Sequence, residues 1–145
     1  NRISEFSEFV DDYDTGEQER KDYSNTTIGF SPSFVGSSEI SWRPLRAAEI
    51  ALLSKYVSRQ FLDNSANSTK QLDAYFVNDI RASYDVKLRK IKTFRLGLQV
   101  NNVLNERYES NGYTFGYIYG GNLITENYYF PQAGTNFMVS LSVGI

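Results

Sequence analysis

The chain has 145 residues, 22% of them charged and 15% aromatic, and carries a formal net charge of −2; this length is ample for one folded domain with a real core. It contains no Cys and no His, which excludes disulfides, thiolate and imidazole metal sites, and Ser-His or Cys-His catalysis. A pI of about 5.2 gives no electrostatic basis for nucleic-acid binding, and the longest strictly aliphatic run, Ile50 to Leu53, is far short of the ~20 residues a membrane helix requires.

Residues 1–25 are polar and acidic, with Asp11, Asp12, Asp14, Glu17, Glu19 and Asp22 around Gly16. Ile3, Phe6 and Phe9 recur at three-residue spacing, compatible with a helical turn, but the composition favours an exposed loop. Asp12 to Gly16 resembles a calcium loop only superficially, because Gly16 falls one position early for that geometry. Asn1 is not an initiating residue, so the chain is treated as open to being a fragment.

From Ile28 the pattern has a period of two. Ile28, Phe30, Phe34, Ile40 and Trp42 share one parity against Ser31, Ser33, Ser37, Glu39, Ser41 and Arg43, which predicts a strand with one apolar face, interrupted at Pro32 and Gly36. A short turn at 43–46 follows. Residues 47–62 read as a second strand with Ala48, Ile50, Leu52 and Tyr56 on one face, and 63–72 as a loop. Residues 75–88 alternate again through Ile80, Ala82, Tyr84, Val86 and Leu88. Their polar face carries Asp79 with Arg81 and Asp85 with Lys87, same-face neighbours suited to a charge ladder. A Lys-rich turn at 89–92 leads to Phe94, Leu96, Leu98 and Val100. The last segment alternates most cleanly, with Phe137, Val139, Leu141, Val143 and Ile145 on one side.

Five strands of roughly 10 to 16 residues exceed the usual length in soluble sheets and suit a tilted membrane crossing. Short connections at 43–46 and 89–92 alternate with long ones at 1–25, 63–72 and 105–133. This is the pattern of an all-β, antiparallel up-and-down wall, forming about five strands of a large transmembrane β-barrel with long outer loops. Mixed charges on the polar faces fit a water-filled lumen. Phe30, Trp42, Tyr56, Tyr84 and Phe137 sit near strand ends, where interfacial aromatics belong. Alternation alone leaves a soluble antiparallel barrel or sandwich, acting as a ligand-binding module, open as the alternative. A barrel enzyme or adhesin is the third, weakened by the absence of His. Five strands cannot close a barrel, so an open sheet with unpaired edges is expected.

Two segments carry a family resemblance. Leu98 to Tyr108, LQVNNVLNERY, resembles the Asn-Asn-Leu-Phe-Asn element of late barrel strands in TonB-dependent outer-membrane receptors. Tyr128 to Phe137, YYFPQAGTNF, is similar to the lead into the last strand of that family, and 50–64 and 75–84 look like strands of the same region, particularly in Bacteroidetes receptors. The resemblance covers most of the chain. It implies that 1–145 is a C-terminal barrel segment of a receptor that resides in the bacterial outer membrane. Its neighbours would be outer-membrane lipid and the remaining barrel and plug, with the TonB complex engaged through an N-terminal part that lies outside this chain. Its cargo would be a small-molecule nutrient: an iron-siderophore, haem, cobalamin or a glycan. Ile145 departs from the terminal Phe of many such barrels. No enzyme activity, metal or cofactor is implied.

Under that resemblance, 1–25, 63–72 and 105–133 become extracellular loops. Tyr108, Tyr113, Phe115, Tyr117, Tyr119, Tyr128 and Tyr129 become the candidate ligand contacts, because their rings stack and their hydroxyls hydrogen-bond. The same rings could instead pack on one another.

Overall fold

A computed structural model describes residues 1–87 and 93–144. The turn read at 89–92, Leu88 and the terminal Ile145 lie outside the described residues. The strands in chain order are β1 (Arg2–Asp12), β2 (Gln18–Thr27), β3 (Val35–Leu45), β4 (Ala48–Val57), β5 (Gln60–Phe61), β6 (Gln71–Leu72), β7 (Tyr75–Asp85), β8 (Thr93–Asn101), β9 (Glu109–Tyr119), β10 (Asn122–Pro131) and β11 (Asn136–Gly144). They divide into two units. One comprises Asn1–Phe34, Ser58–Ala74 and Tyr108–Gln132; the other comprises Val35–Val57, Tyr75–Arg107 and Ala133–Ile145.

The second unit is the five-stranded antiparallel sheet β11-β8-β7-β4-β3. Each strand neighbours the next one of this unit in sequence, so it is an up-and-down meander. The chain enters β3, leaves β4, enters β7, leaves β8 and enters β11 at one end of the sheet, and that end receives every long connection. Its register aligns the apolar parities of all five strands: Ile40, Leu52, Ile80, Val100 and Phe137 form one row, and Trp42, Ile50, Ala82, Leu98 and Val139 the next. Direct cross-strand partners lie on the same face, so the rows build one continuous apolar surface. That surface is not covered. Ile40 is 67% exposed, Phe137 73% and Val139 71%, and a patch of this extent has no stable place in water.

The opposite face is polar and ion-paired. Arg81 reaches across β4 to Glu39 at 2.8 Å, Arg95 meets Asp85 at 2.6 Å, and Arg43 meets Glu49 at 2.6 Å. The side-by-side ladder expected from Asp79 with Arg81 and Asp85 with Lys87 is therefore re-partnered across strands. Asp85 and Arg95 are direct cross-strand partners, closer than i, i+2 neighbours along one strand, whereas the Arg81 side chain spans β4 to reach Glu39. Asp79 instead accepts the Asn102 amide at 2.8 Å. The sheet is open: β3 and β11 each pair on one side only.

The rim after β8 is held by the NNVLN segment. Asn102 and Asn105 both adopt left-handed backbone, with φ of 50° and 53°, which asparagine tolerates better than most residues. Asn102 is 4% exposed. Its Oδ1 accepts the Glu106 amide at 2.8 Å, while its Nδ2 donates to the Glu106 carbonyl at 2.9 Å and the Ala133 carbonyl at 3.2 Å. Thr135 Oγ1 donates to the Asn102 carbonyl at 2.7 Å, and Asn105 Oδ1 accepts the Thr135 amide at 3.2 Å. The two motifs that resemble the family are thus two halves of one clasp, joining the exit from β8 to the start of β11.

The first unit corrects the reading of 1–25 and 105–133 as loops. Both are β-hairpins, within the four-stranded sheet β10-β9-β1-β2. β1 pairs antiparallel with β2 and joins β9 through a short parallel contact at Asp11–Tyr117 and Asp12–Ile118. Phe6 stacks on Tyr23 at 6.0 Å, so the three-residue spacing of Ile3, Phe6 and Phe9 marks a strand rather than a helical turn. The predicted strand 47–62 ends at Val57, and the segment after it turns back as the short β5–β6 pair, which takes in the last residues of the 63–72 loop. Residues 28–34 are likewise not strand, with Phe30 at φ 53°. Val10, Leu62 and Leu72 form the small core of this unit, each 4% exposed or less.

Candidate functional site

The segment Gly112 to Tyr119, GYTFGYIY, alternates between two kinds of side chain. Gly112, Thr114 and Gly116 take one parity and Tyr113, Phe115, Tyr117 and Tyr119 the other. In β9 that period places every ring of the segment on one face. The small residues leave room behind. A Cβ on Gly112 would stand 2.5 Å from the Tyr128 carbonyl and 3.2 Å from Leu62 Cδ2, so only glycine fits there. The turn to β10 is Gly120-Gly121, both with positive φ, the backbone that a tight two-residue hairpin demands. β10 then brings Tyr128 opposite Tyr113 and Glu126 opposite Phe115.

The result is a ladder of rings. Tyr113 lies 5.0 Å from Tyr128 with an interplanar angle of 9°, and Tyr128 lies 6.0 Å from Phe115 at 4°. Phe115 continues to Tyr117 at 6.1 Å, and Tyr117 meets Tyr13 from the β1 end at 5.4 Å. Phe130 flanks Tyr113 at the other end at 6.1 Å. These rings pack on one another and also remain open to solvent, Tyr113 at 47%, Phe115 at 45% and Tyr128 at 43% exposure. Self-packing and an accessible aromatic surface coexist.

A single charge lies within the ladder. Glu126 Oε1 accepts the Tyr117 hydroxyl at 3.0 Å and its Oε2 accepts the Tyr128 hydroxyl at 2.5 Å. The Tyr128 bond, followed by that of Tyr117, holds the Glu126 carboxyl below its ordinary range, and the same contacts push both phenols up. Glu126 is therefore an ionised acceptor at neutral pH.

Behind the ladder the unit is tied by buried charge. Lys70, 3% exposed, donates to Glu8 at 3.0 Å and to Asp63 at 2.9 Å, while Tyr23 donates to Glu8 at 3.0 Å. Burial pulls the Lys70 pKa down, but the bonds to Asp63 and Glu8 outweigh it and the net shift is upward. At the tips, Asp12 caps its own turn through the Asp14 amide at 2.9 Å. Asp14 serves the neighbouring turn by accepting the Gly120 and Gly121 amides.

Of the expected contact residues, Tyr113, Phe115, Tyr117, Tyr119 and Tyr128 share the ladder face. Tyr129 belongs to the opposite face of β10, where its hydroxyl points to the Gln71 carbonyl at 3.4 Å. Tyr108 precedes β9, and its carbonyl accepts the Gln132 amide at 3.0 Å. Sequence reasoning missed Glu126 and Tyr13 as members of this surface, and Phe130, one of the rings of the 105–133 segment, joins them. The double glycine at 120–121 was the available signal, since a two-residue turn puts Glu126 across from Phe115.

A one-sided apolar wall with a polar, ion-paired reverse is the pattern of a transmembrane β-barrel wall, and the aromatic hairpins form a separate unit. The model of the TonB dependent receptor-like β-barrel family matches residues 3–103, and the chain belongs to that family. No curated protein and no solved structure matches it. Proteins of this family are outer-membrane transport receptors rather than enzymes, which decides between the membrane and soluble alternatives that strand alternation left open.

Proposed function

We propose that the unit formed by 1–34, 58–74 and 108–132 lies on the extracellular side of the receptor and that the ladder face of β9–β10 contacts the nutrient before import. The observation that carries this reading is the row of exposed Tyr113, Phe115 and Tyr128 with half-buried Tyr117 around the ionised Glu126. Rings left open to solvent offer flat apolar area, and phenol and carboxylate oxygens offer directional contacts, the combination that ligand sites use. Import would draw on the TonB complex as in the family.

The test is ligand binding and uptake by the receptor carrying Tyr113→Ser, Phe115→Ser or Tyr128→Ser, screened against an iron-siderophore, haem, cobalamin and an oligosaccharide. Each ring lost should weaken binding of the true ligand by up to about tenfold, with the outer-membrane level of the receptor unchanged. Unaltered binding and uptake in all three variants would assign the ladder to packing alone.

A further inference from the structure

The ladder unit is strongly acidic: it holds twelve Asp and Glu residues against five Arg and Lys, although the whole chain is nearly neutral. An anionic ligand would approach against that field. A neutral ligand can donate hydrogen bonds to the ionised carboxylate set among the rings, but only a cation also gains from its charge.

The two edges of this sheet differ as well. β2 carries the consecutive charges Glu19, Arg20, Lys21 and Asp22, which protect an edge from pairing. β10, at the other edge, reads NLITENYYFP, with Glu126 as its only charge and no proline before Pro131. Ile124, Thr125, Tyr128, Tyr129 and Phe130 favour strand pairing. β10 therefore presents an unprotected edge beside an aromatic face whose one charge is negative.

Building on the extracellular reading above, we propose that β10 receives a short basic peptide as an added strand, with a lysine or arginine side chain placed opposite Glu126. Antiparallel or parallel addition puts every second peptide residue on the ladder face. The residue beside Glu126 then pairs with its carboxylate, while its charged head lies against Tyr128 and Phe115. Residues two positions away meet Ile124 and Tyr128 and are best apolar. The edge supplies affinity through main-chain hydrogen bonds, and Glu126 supplies selectivity for the cation.

The experiment uses the intact receptor and a capped peptide with lysine at its centre, threonine on either side and valine beyond. Its companions are the acetyl-lysine peptide, the backbone N-methylated peptide, spermidine and maltoheptaose. The lysine peptide should bind at least about tenfold more tightly than its acetylated or N-methylated forms, and Glu126→Gln should erase the preference for lysine. Equal binding of lysine and acetyl-lysine peptides, or an unchanged preference in Glu126→Gln, overturns the proposal. Spermidine binding as tightly as the peptide also overturns it, because a free cation needs no strand edge. Maltoheptaose binding that depends on Tyr113 and Tyr128, with no peptide binding, overturns the peptide while leaving the ligand-facing ladder intact. If no compound binds and the ring substitutions leave uptake unchanged, both readings fail.

Discussion

Asp14 Oδ2 accepts a hydrogen bond from the Gly121 amide at 2.8 Å, across 107 positions of sequence, and its Oδ1 takes the Gly120 amide at 3.0 Å. One carboxylate from the β1–β2 tip thus satisfies two donors of the β9–β10 turn, and the Tyr13–Tyr117 ring contact lies beside it. Asp14→Ala removes both acceptors without touching either strand. Amide exchange at Gly120 and Gly121 should accelerate by about tenfold, the equivalent of one hydrogen bond of ordinary net strength, while exchange within β4 and β7 stays unchanged.

The clasp at the rim makes a sharper demand. Asn102→Ala deletes three side-chain hydrogen bonds at a buried, left-handed position and should destabilise the barrel by about 2–3 kcal/mol. Asn102→Gly relieves the backbone cost but not the lost bonds, so it should recover only part of that loss. Thermal unfolding in detergent, followed by the shift from folded to unfolded mobility on gels, separates the two variants.

Lys70 gives the pH dependence. Its folded pKa is raised above the ordinary value of 10.5, so the folded state holds the proton more tightly than the unfolded chain. Its contribution is complete below 10.5 and disappears as pH climbs through the raised value. Lys70→Met should cost about 2 kcal/mol, the low side for breaking a buried pair because Glu8 and Asp63 retain 19% and 20% exposure. The variant should lose the alkaline weakening that the parent shows in hydrogen exchange of 58–74.

Gly112 tests the hairpin itself. The Tyr128 carbonyl blocks any added Cβ at 2.5 Å, and backbone cannot swing aside as a side-chain tip can. Gly112→Ala should separate β9 from β10 locally and cost about 1–3 kcal/mol, read as lost protection of the amides around Tyr113 and Tyr129. Gly16→Ala meets no atom and pays only for its positive φ, about 1 kcal/mol.

The wall was legible in the sequence because its two faces meet different solvents. Ile40, Leu52, Ile80, Leu98 and Val139 alternate with charged and hydroxyl residues, and the register confirms each parity. The hairpins were hidden for a physical reason. Across β9 the alternation is glycine and threonine against aromatics, not polar against apolar, so it registers as a Gly-rich and Tyr-rich loop. β1 carries Glu5, Glu8 and Asp11 among Phe6, Phe9 and Val10 because one acid, Glu8, is consumed by buried Lys70. Nothing local announces that partnership, which spans 62 positions. The strand β8 ends at Asn101, as the polar NNVLN segment after Val100 allows, but the bonds of that segment to Ala133 and Thr135 required the chain on the far side of the β9–β10 hairpin.

The most direct test of the account is the environment of neighbouring residues on β11. The chain has no Cys, so Val139→Cys, Ser140→Cys, Leu141→Cys and Ser142→Cys each provide a single labelling point for a fluorophore in the receptor reconstituted in vesicles of brominated lipid. The account predicts strong quenching at 139 and 141 and weak quenching at 140 and 142, because β11 turns Val139 and Leu141 to hydrocarbon and the serines to water. Uniform quenching along the four positions, or none at any of them, would contradict a β11 that forms part of a transmembrane wall.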